Sequence, residues 1–194
     1  MMRQEQGPVE GRGWKMKIIR KGDFRETRWR NGMGLSWDIA SDPPGTEDFG
    51  WRLATALIEA DVPFSDYPGV DRIFTLIEGY GLDLDFEDRT TLRVDRRFVP
   101  HPYPCDVPTL CRLRNGPCRA LNLFTRRGQW SATADVLSSG AEIAHDGPIL
   151  LFALEGAADL DGAALGEGDA AVTEGHTTAE TEGFLFVARL WPQC

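Results

Sequence analysis

The residues best suited to chemistry in this chain lie in the hexapeptide WRNGMG, which begins at Trp29. Arg30 can hold a carboxylate with two parallel hydrogen bonds, and the amide of Asn31 can both donate and accept. Gly32 and Gly34 allow positive φ angles and a close approach to a ligand, so the segment could form an anion-binding concavity. The competing interpretation is a turn between strands with Trp29 packed in the core. Taken alone, the hexapeptide favours the turn.

A second candidate segment is GPCRALNLFTRRG, residues 116–128, in which the polar residue Asn122 interrupts an apolar run. If this segment is a strand, Asn122, Phe124 and Arg126 share one of its faces. Asn122 is then buried, and a buried amide must find hydrogen-bond partners. Those partners are either backbone atoms of a neighbouring loop or a polar ligand that Asn122 and Arg126 contact in a cavity.

A third segment, VPFSDYPGVDRIFTLIEG at 62–79, places a charged dipeptide at the start of an apolar run. Asp71 and Arg72 could form a surface ion pair, which would contribute little stability. Alternatively, Arg72 and Ser65 lie at the mouth of a barrel and contact a ligand. The sequence leaves both interpretations open.

Metal and covalent chemistry find little support in the sequence. The three histidines are isolated from one another, and the four cysteines show no CxxC spacing. We therefore predict no metal site and no cofactor, and we expect reduced thiols in a cytoplasmic protein. The motifs GxSxG and HExxH and a phosphate-binding loop with lysine are absent from the sequence. Paired carboxylates could still act as general acid and base, but no pair stands out.

Short apolar runs separated by glycine and proline predict an all-β sandwich or barrel with little helix. The predicted strands are 17–20, 35–40, 51–58, 72–77, 82–86, 90–94, 110–114, 119–125, 130–137, 141–144, 148–154, 170–173 and 184–191.

An internal repeat is visible in this pattern. IFTLIEGYGLDLD at 73–85 and LLFALEGAADLD at 150–161 share an apolar run, a Glu-Gly pair and a following Asp-Leu-Asp. The alignment of the two segments places Gly79 opposite Gly156. The repeat predicts two similar β-barrel halves, in each of which a buried strand enters a tight hairpin turn.

Charge and hydropathy narrow the range of partners. The 194 residues carry a net charge of −9, and the acidic residues dominate from Asp135 onward. Such a distribution argues against nucleic acid or an anionic membrane surface as partner. No apolar run reaches the roughly 20 residues of a membrane helix. Residues 1–15 lack the apolar region of a signal peptide, and we expect either a disordered leader there or an over-extended start with initiation at Met16.

Taken together, the motif segments resemble the HutD/Ves family of bicupins. The resemblance spans residues 16 to 190, and the specific motifs all lie at or before Gly128. The matching segments are 29–39, 51–56, 63–72, 76–81 and 121–128. Met33 departs from the family pattern, which favours glycine, and Ser36 and Asp38 replace the more usual threonine and glutamate.

The resemblance implies two cupin-like double-stranded β-helix barrels in one chain without the usual cupin metal ligands. The first barrel would comprise residues 16–128, and the second half, 129–194, would share strands with it. The family is associated with histidine utilisation. Carried over to this chain, the pocket residues would be Trp29, Arg30, Asn31, Gly32, Gly34, Ser65, Asp71, Arg72 and Asn122.

The resulting hypothesis is a metal-independent protein that binds a small anionic metabolite. It would act as a sensor or regulator of a formylated or carboxylate intermediate of histidine breakdown, and a homodimer is a further expectation. The alternative is a metal-independent isomerase or hydrolase, for which Asp38 and Asp71 are the candidate titratable groups.

Overall fold

A computed structural model of the chain describes residues 16–193. Within that range the chain forms 17 strands, and the single helical element is the 3-10 turn Lys21–Asp23. The prediction of an all-β fold with little helix is confirmed. The expected leader, residues 1–15, lies outside the described residues. No helix in the described part is long and apolar enough to cross a membrane.

The strands are Lys17–Ile19 (β1), Arg25–Arg28 (β2), Leu35–Asp42 (β3), Trp51–Ile58 (β4), Val62–Pro63 (β5), Val70–Glu78 (β6), Leu82–Phe86 (β7), Thr91–Val94 (β8), Pro100–Pro104 (β9), Thr109–Leu113 (β10), Cys118–Arg126 (β11), Trp130–Leu137 (β12), Ala141–Glu155 (β13), Ala158–Leu160 (β14), Ala163–Leu165 (β15), Ala170–Thr181 (β16) and Phe184–Pro192 (β17). The two runs predicted at 141–144 and 148–154 are one strand, β13, with an irregularity between His145 and Pro148.

Three antiparallel sheets contain these strands. A six-stranded sheet has the order β2-β3-β4-β11-β6-β9, and a four-stranded sheet has the order β5-β10-β7-β8. The third sheet is seven-stranded, with the order β12-β17-β13-β16-β14-β15 and with β1 also paired to β16. The first strand of the described residues, β1, therefore belongs to the sheet that the C-terminal third builds.

Two-residue alternation decides what each face of the six-stranded sheet contacts. In β11, Leu121 and Leu123 face the seven-stranded sheet and pack with Phe152 and Phe186 in a shared core. The alternate residue Ala120 packs instead toward the four-stranded sheet. The outer face of the six-stranded sheet is thus apolar and packs against the seven-stranded sheet. Its inner face points toward the four-stranded sheet, into the interior of the first half.

The strand order repeats between the two halves. The order β4-β11-β6 in the first half matches β12-β17-β13 in the second. Likewise β7 pairs with β8 and β10, as β14 pairs with β15 and β16. The pairing register of the strands can be compared in the same way. Phe74 pairs with Asn122 in the first half. Leu151, the counterpart of Phe74 in the sequence repeat, pairs with Val187 in the second half.

The prediction of hairpins at the two Glu-Gly turns was wrong. After the first turn the chain leaves β6 in the six-stranded sheet and enters β7 in the four-stranded sheet. After the second turn, β13 and β14 are separated by β16. Each turn therefore carries the chain between non-neighbouring strands, and local turn chemistry looks the same in both situations.

Candidate functional site

A small cavity lies inside the first half, on the inner face of the six-stranded sheet, and we call it the inner cavity. Its volume is about 40 Å³. The lining residues are Arg28, Trp29, Ser36, Arg52, Ala54, Ala56, Ile58, Phe64, Ser65, Tyr67, Arg72, Phe74, Asn122 and Phe124. Within the described chain, no carboxylate and no histidine lines this cavity.

Arg72 is the dominant charge of the inner cavity. The residue is only 6% exposed, and its Nη1 donates to the hydroxyl oxygen of Tyr103 at 3.0 Å. Its Nε is buried and has no hydrogen-bond partner among the described residues. The guanidinium carbon lies 4.6 Å from the ring centre of Phe124 and 5.1 Å from that of Phe64, within the range of cation–π attraction.

No carboxylate balances the charge of Arg72 among residues 16–193, since no ion pair there includes it. The acidic groups that act on its guanidinium are the hydroxyls of Tyr103 and Tyr67 and the thiol of Cys105. Burial raises the pKa of the Tyr103 hydroxyl well above its usual range, and burial also raises the pKa of the Cys105 thiol. An arginine side chain remains protonated in proteins. The first half therefore holds one buried positive charge that no described acid compensates.

Asn122 adds a second incompletely bonded polar group. The residue is 4% exposed, and its Oδ1 is buried without a hydrogen-bond partner from the described chain. In the ladder, Asn122 pairs with Phe74 while Arg72 pairs with Phe124. Arg72 and Asn122 are consequently diagonal neighbours on one sheet face, a separation of roughly 7–8 Å that long side chains can span.

The second half has no such polar pair at the corresponding positions. The sequence repeat, which aligns Gly79 with Gly156, places Ile149 where the first half has Arg72. The strand register places Val187 where the first half has Asn122. Ile149 and Val187 are both 0% exposed and belong to the core of the second half. At these two positions the second half thus has apolar side chains where the first half has buried polar groups.

A larger opening, which we call the outer cleft, lies next to the inner cavity. It has a volume of about 600 Å³ and shares Arg28, Arg52 and Tyr67 with the inner cavity. Arg30 also lines it, with its guanidinium carbon 5.7 Å from the ring centre of Tyr67. Neither Arg28 nor Arg30 forms an ion pair with another residue of the described range. The outer cleft is lined by five arginines and four carboxylates, and Arg28 and Arg30 are the two arginines among them without a described ion pair.

The two candidate acids of the enzyme hypothesis are both engaged in ion pairs. Asp38 lines the outer cleft, where it accepts hydrogen bonds from Arg52 and, at 2.9 Å, from Arg25. Asp71 precedes Arg72 on β6 and faces away from both cavities. Its carboxylate binds Arg127 near the surface. Neither carboxylate reaches the inner cavity.

Residues 29–34 form a turn beside the inner cavity, and we call this turn the strap. Asn31 fastens the strap, because its Nδ2 donates to the carbonyl of Pro63 at 2.8 Å and its Oδ1 accepts from the N–H of Met33. Its backbone N–H donates to Ser65 Oγ at 3.3 Å. Both ends of the Asn31 amide are thus used within the protein, and Gly32 makes the turn with a φ of +75°.

Trp29 is the residue of the strap that reaches the cavity. Its Nε1 donates to the carbonyl of Leu35 at 3.0 Å, and its ring meets Phe64 edge-on with centres 5.6 Å apart. Gly34 lies directly against the indole, since a Cβ there would be 2.6 Å from a ring carbon. The absence of a side chain at Gly34 is what allows Trp29 this position.

Replacing Gly34 by alanine is expected to displace Trp29 and to lower the free energy of unfolding by about 1–3 kcal/mol, the usual cost of overpacking. The indole cannot yield easily, because Phe64 and the carbonyl of Leu35 hold it. Urea unfolding measures the effect. Gly22→Ala is the control, since no atom lies within 4 Å of that position, and it should change stability by less than about 0.5 kcal/mol. Equal stability of both variants would contradict the prediction.

The structure separates the nine predicted pocket residues into four groups. Trp29, Ser65, Arg72 and Asn122 line the inner cavity, and Arg30 lines the outer cleft. Asn31, Gly32 and Gly34 belong to the strap and line neither opening, while Asp71 is on the other face of β6. Their roles in binding stay predictions.

Sequence reasoning missed the residue that orients Arg72. Tyr103 lies in β9, whose sequence PHPYP contains three prolines and was not predicted as a strand. Proline is tolerated on an edge strand, and β9 is the edge of the six-stranded sheet. The alternation of proline with His101 and Tyr103 is the signal that could have identified it.

Comparisons with known proteins agree on one family. The sequence profile of the HutD family matches residues 21–186. An uncharacterized 21.2 kDa protein in the hutC 3' region of Pseudomonas putida is 31% identical over 146 residues, which are 72% of this chain and 74% of that protein. Protein Ves of Citrobacter koseri is 36% identical over 109 residues, and the chain thus spans 56% of the length of Ves.

Solved structures agree on the fold. HutD from Pseudomonas fluorescens, solved in a formate condition, superposes with a TM-score of 0.84 at 24% identity over 93% of this chain and 100% of that one. Protein Ylba from Escherichia coli, at 10% identity, gives a TM-score of 0.70 over 95% of each chain. These similarities identify a cupin-like β fold.

Because the profile covers most of the sequence and the Pseudomonas putida protein matches over most of both chains, the chain belongs to the HutD family.

Proposed function

We propose that this protein binds a small carboxylate in the inner cavity, without a metal, and that Arg72 is the group that holds it. The observation that carries the proposal is the burial of Arg72 at 6% exposure with no acidic partner in the described range. A buried unpaired charge is costly, and a ligand of opposite charge removes that cost. The planar guanidinium also matches a carboxylate in geometry.

The size of the inner cavity supports a ligand group of a few atoms. A water molecule needs roughly 10–15 Å³ of such volume. The cavity of about 40 Å³ therefore accommodates a carboxylate or formyl group and little more. The remainder of a larger acid would extend into the outer cleft, past Arg28 and Tyr67, which line both openings. Asn122, whose amide both donates and accepts, would contact the same group.

The repeated strand order supports two related cupin-like barrels in one chain. In this proposal only the first barrel binds a ligand, because Ile149 and Val187 replace the polar pair in the second. A homodimer and a cytoplasmic location remain part of the proposal.

The name of one relative supports a role in histidine utilisation. The Pseudomonas putida relative is named for its position in the hutC 3' region. We propose that the protein senses or regulates through a formylated or carboxylate intermediate of histidine breakdown. The alternative, an isomerase or hydrolase, needs a titratable group beside the bound acid, and both Asp38 and Asp71 are engaged by arginines elsewhere. The ion pairs favour binding over catalysis.

Calorimetry with formate, acetate, glutamate, formylglutamate and urocanate tests the proposal. We expect at least one of these acids to bind and to raise the melting temperature with concentration. A ligand at 100 times its Kd stabilises by about 2.7 kcal/mol. Sodium chloride and ethylammonium chloride at matched ionic strength control for salt and for cation binding. Failure of every acid to bind would refute the proposal.

A further inference from the structure

A third opening, which the proposed function does not use, lies where the six-stranded and seven-stranded sheets splay apart. We call it the intersheet cleft. Its volume is about 410 Å³, within the roughly 300–1,000 Å³ of small-molecule sites. Trp37 and Ile77 contribute apolar walls from the six-stranded sheet, and Phe152 and Leu154 contribute them from the seven-stranded sheet. Both halves of the protein thus build this cleft.

Most charges around the intersheet cleft already have partners. The Nε of Arg119 lies 3.4 Å from the carboxylate of Glu78, and Arg97 lies 2.8 Å from that of Glu155. Glu78 and Glu155 are the glutamates of the two repeated Glu-Gly turns. Each pair joins one cation to one carboxylate, so the two pairs add no net charge to the cleft.

Two opposite charges on one wall of the cleft form no ion pair within the range 16–193. They are the ammonium of Lys21 and the carboxylate of Glu167, both exposed. The Lys21 side chain lies beside the residue that follows Glu167, since the Lys21 Cδ is 3.2 Å from the position that a Cβ on Gly168 would occupy. Glu167 accepts one hydrogen bond, from the backbone N–H of Gly156 at 3.1 Å, which orients its carboxylate.

The opposite wall of the cleft combines an aromatic residue, Trp37, with a charged one, Arg119. The guanidinium carbon of Arg119 lies 5.1 Å from the ring centre of Trp37. The Nε of Arg119 is buried and makes no hydrogen bond with the described residues, because its approach to Glu78 lacks hydrogen-bond geometry. A buried donor without a partner is uncommon in native structures and indicates a group that a ligand or water would satisfy.

We propose that the intersheet cleft binds a free α-amino acid with a flat or apolar side chain. An α-amino acid carries a carboxylate and an ammonium on the same carbon atom, which matches Lys21 and Glu167 on one wall. Its side chain would lie between Trp37 and Phe152. The balanced charge of the cleft, three cations against three carboxylates, fits a zwitterion better than an anion. This site is independent of the inner cavity and does not rest on the function proposed for it.

Calorimetry with L-phenylalanine, L-histidine and L-leucine tests the proposal, with 3-phenylpropionate and phenethylamine as analogues that lack one charge. We expect at least one amino acid to bind and both analogues of phenylalanine to bind at least about 10-fold more weakly, the usual effect of losing a charge-assisted hydrogen bond. Lys21→Gln and Glu167→Gln should each weaken binding by a similar factor. Both side chains are exposed, so neither change should affect folding.

Matched controls are Lys17→Gln and Glu59→Gln, which alter exposed residues that do not line the cleft. They should leave amino-acid binding unchanged, as should Arg72→Met.

Three results would overturn the proposal. The first is no binding of any amino acid at about 10 mM, well above the roughly 1 mM Kd of a weak site. The second is binding that is insensitive to both Lys21→Gln and Glu167→Gln. The third is loss of binding in Arg72→Met, which would place the amino acid in the inner cavity.

Discussion

Replacing Arg72 by methionine is expected to abolish carboxylate binding while leaving the protein at least as stable as the wild type. The two effects have one cause. Arg72 is buried among Phe64, Phe124 and Tyr103 without a carboxylate from the described chain, so its charge costs free energy in the absence of a ligand. Methionine fills a similar volume without that cost, although the loss of cation–π attraction offsets part of the gain.

The measurements are calorimetry with the best-binding acid and urea unfolding without ligand. Truncating one side of a buried charged contact costs about 2–5 kcal/mol, which corresponds to a loss of affinity of at least roughly 30-fold. Arg127→Met is the control, because Arg127 binds Asp71 and Asp106 at the surface, away from the inner cavity. It should keep ligand affinity. A severe loss of stability in Arg72→Met would instead show that the guanidinium is a structural group.

The conservative variant Arg72→Lys separates charge from geometry. Lysine keeps a positive charge but presents a compact ammonium in place of a planar fork. We expect intermediate affinity, since electrostatic attraction remains and one of two parallel hydrogen bonds is lost. Affinity equal to that of the wild type would mean that only the charge matters at this position.

The position of Asn122 could be predicted from sequence because strand periodicity is local. An amide at an even spacing from Ala120 and Phe124 must share their face, and the structure places all three toward the interior of the first half. The same rule separates Asp71 from Arg72, since adjacent strand residues point to opposite faces. Grouping them in one pocket overlooked that rule.

The role of Asn31 could not be predicted in this way. Its amide contacts the carbonyl of Pro63, which is distant in the sequence, and nothing in the hexapeptide specifies that partner. The interpretation of residues 29–34 as a turn is confirmed, and their role in a ligand pocket stays a prediction. Residues 29–34 do form a turn, and that turn places the indole of Trp29 at the cavity.

The overall charge of the chain differs from the local charge at the site. The net charge is −9, yet arginines slightly outnumber carboxylates in the outer cleft, and the inner cavity is lined by Arg28, Arg52 and Arg72 without a carboxylate. Acidic residues concentrate from Asp135 onward, in the half whose core is closed by Ile149 and Val187. Local arrangement of charge, which only the fold reveals, decides what ligand the cavity attracts.

Replacing Asn122 by aspartate is expected to supply Arg72 with an internal partner and so to mimic the bound ligand. The two positions are diagonal neighbours on one sheet face, and both side chains line the inner cavity. Because the desolvation of Arg72 is already incurred, the added attraction should raise the free energy of unfolding by about 1–2 kcal/mol at neutral pH. The same carboxylate would compete with a ligand, so carboxylate binding should fall below detection.

The pH dependence of that gain identifies its origin. Attraction by Arg72 lowers the folded-state pKa of the introduced carboxyl below its unfolded value of about 4. The extra stability is therefore fully present above that unfolded pKa and is lost as the pH falls through the folded pKa. Asn122→Leu serves as the control, because any gain from removing an unsatisfied amide is independent of pH. If the aspartate variant were less stable than the wild type at pH 7 and still bound the acid, Arg72 and residue 122 would not share one site.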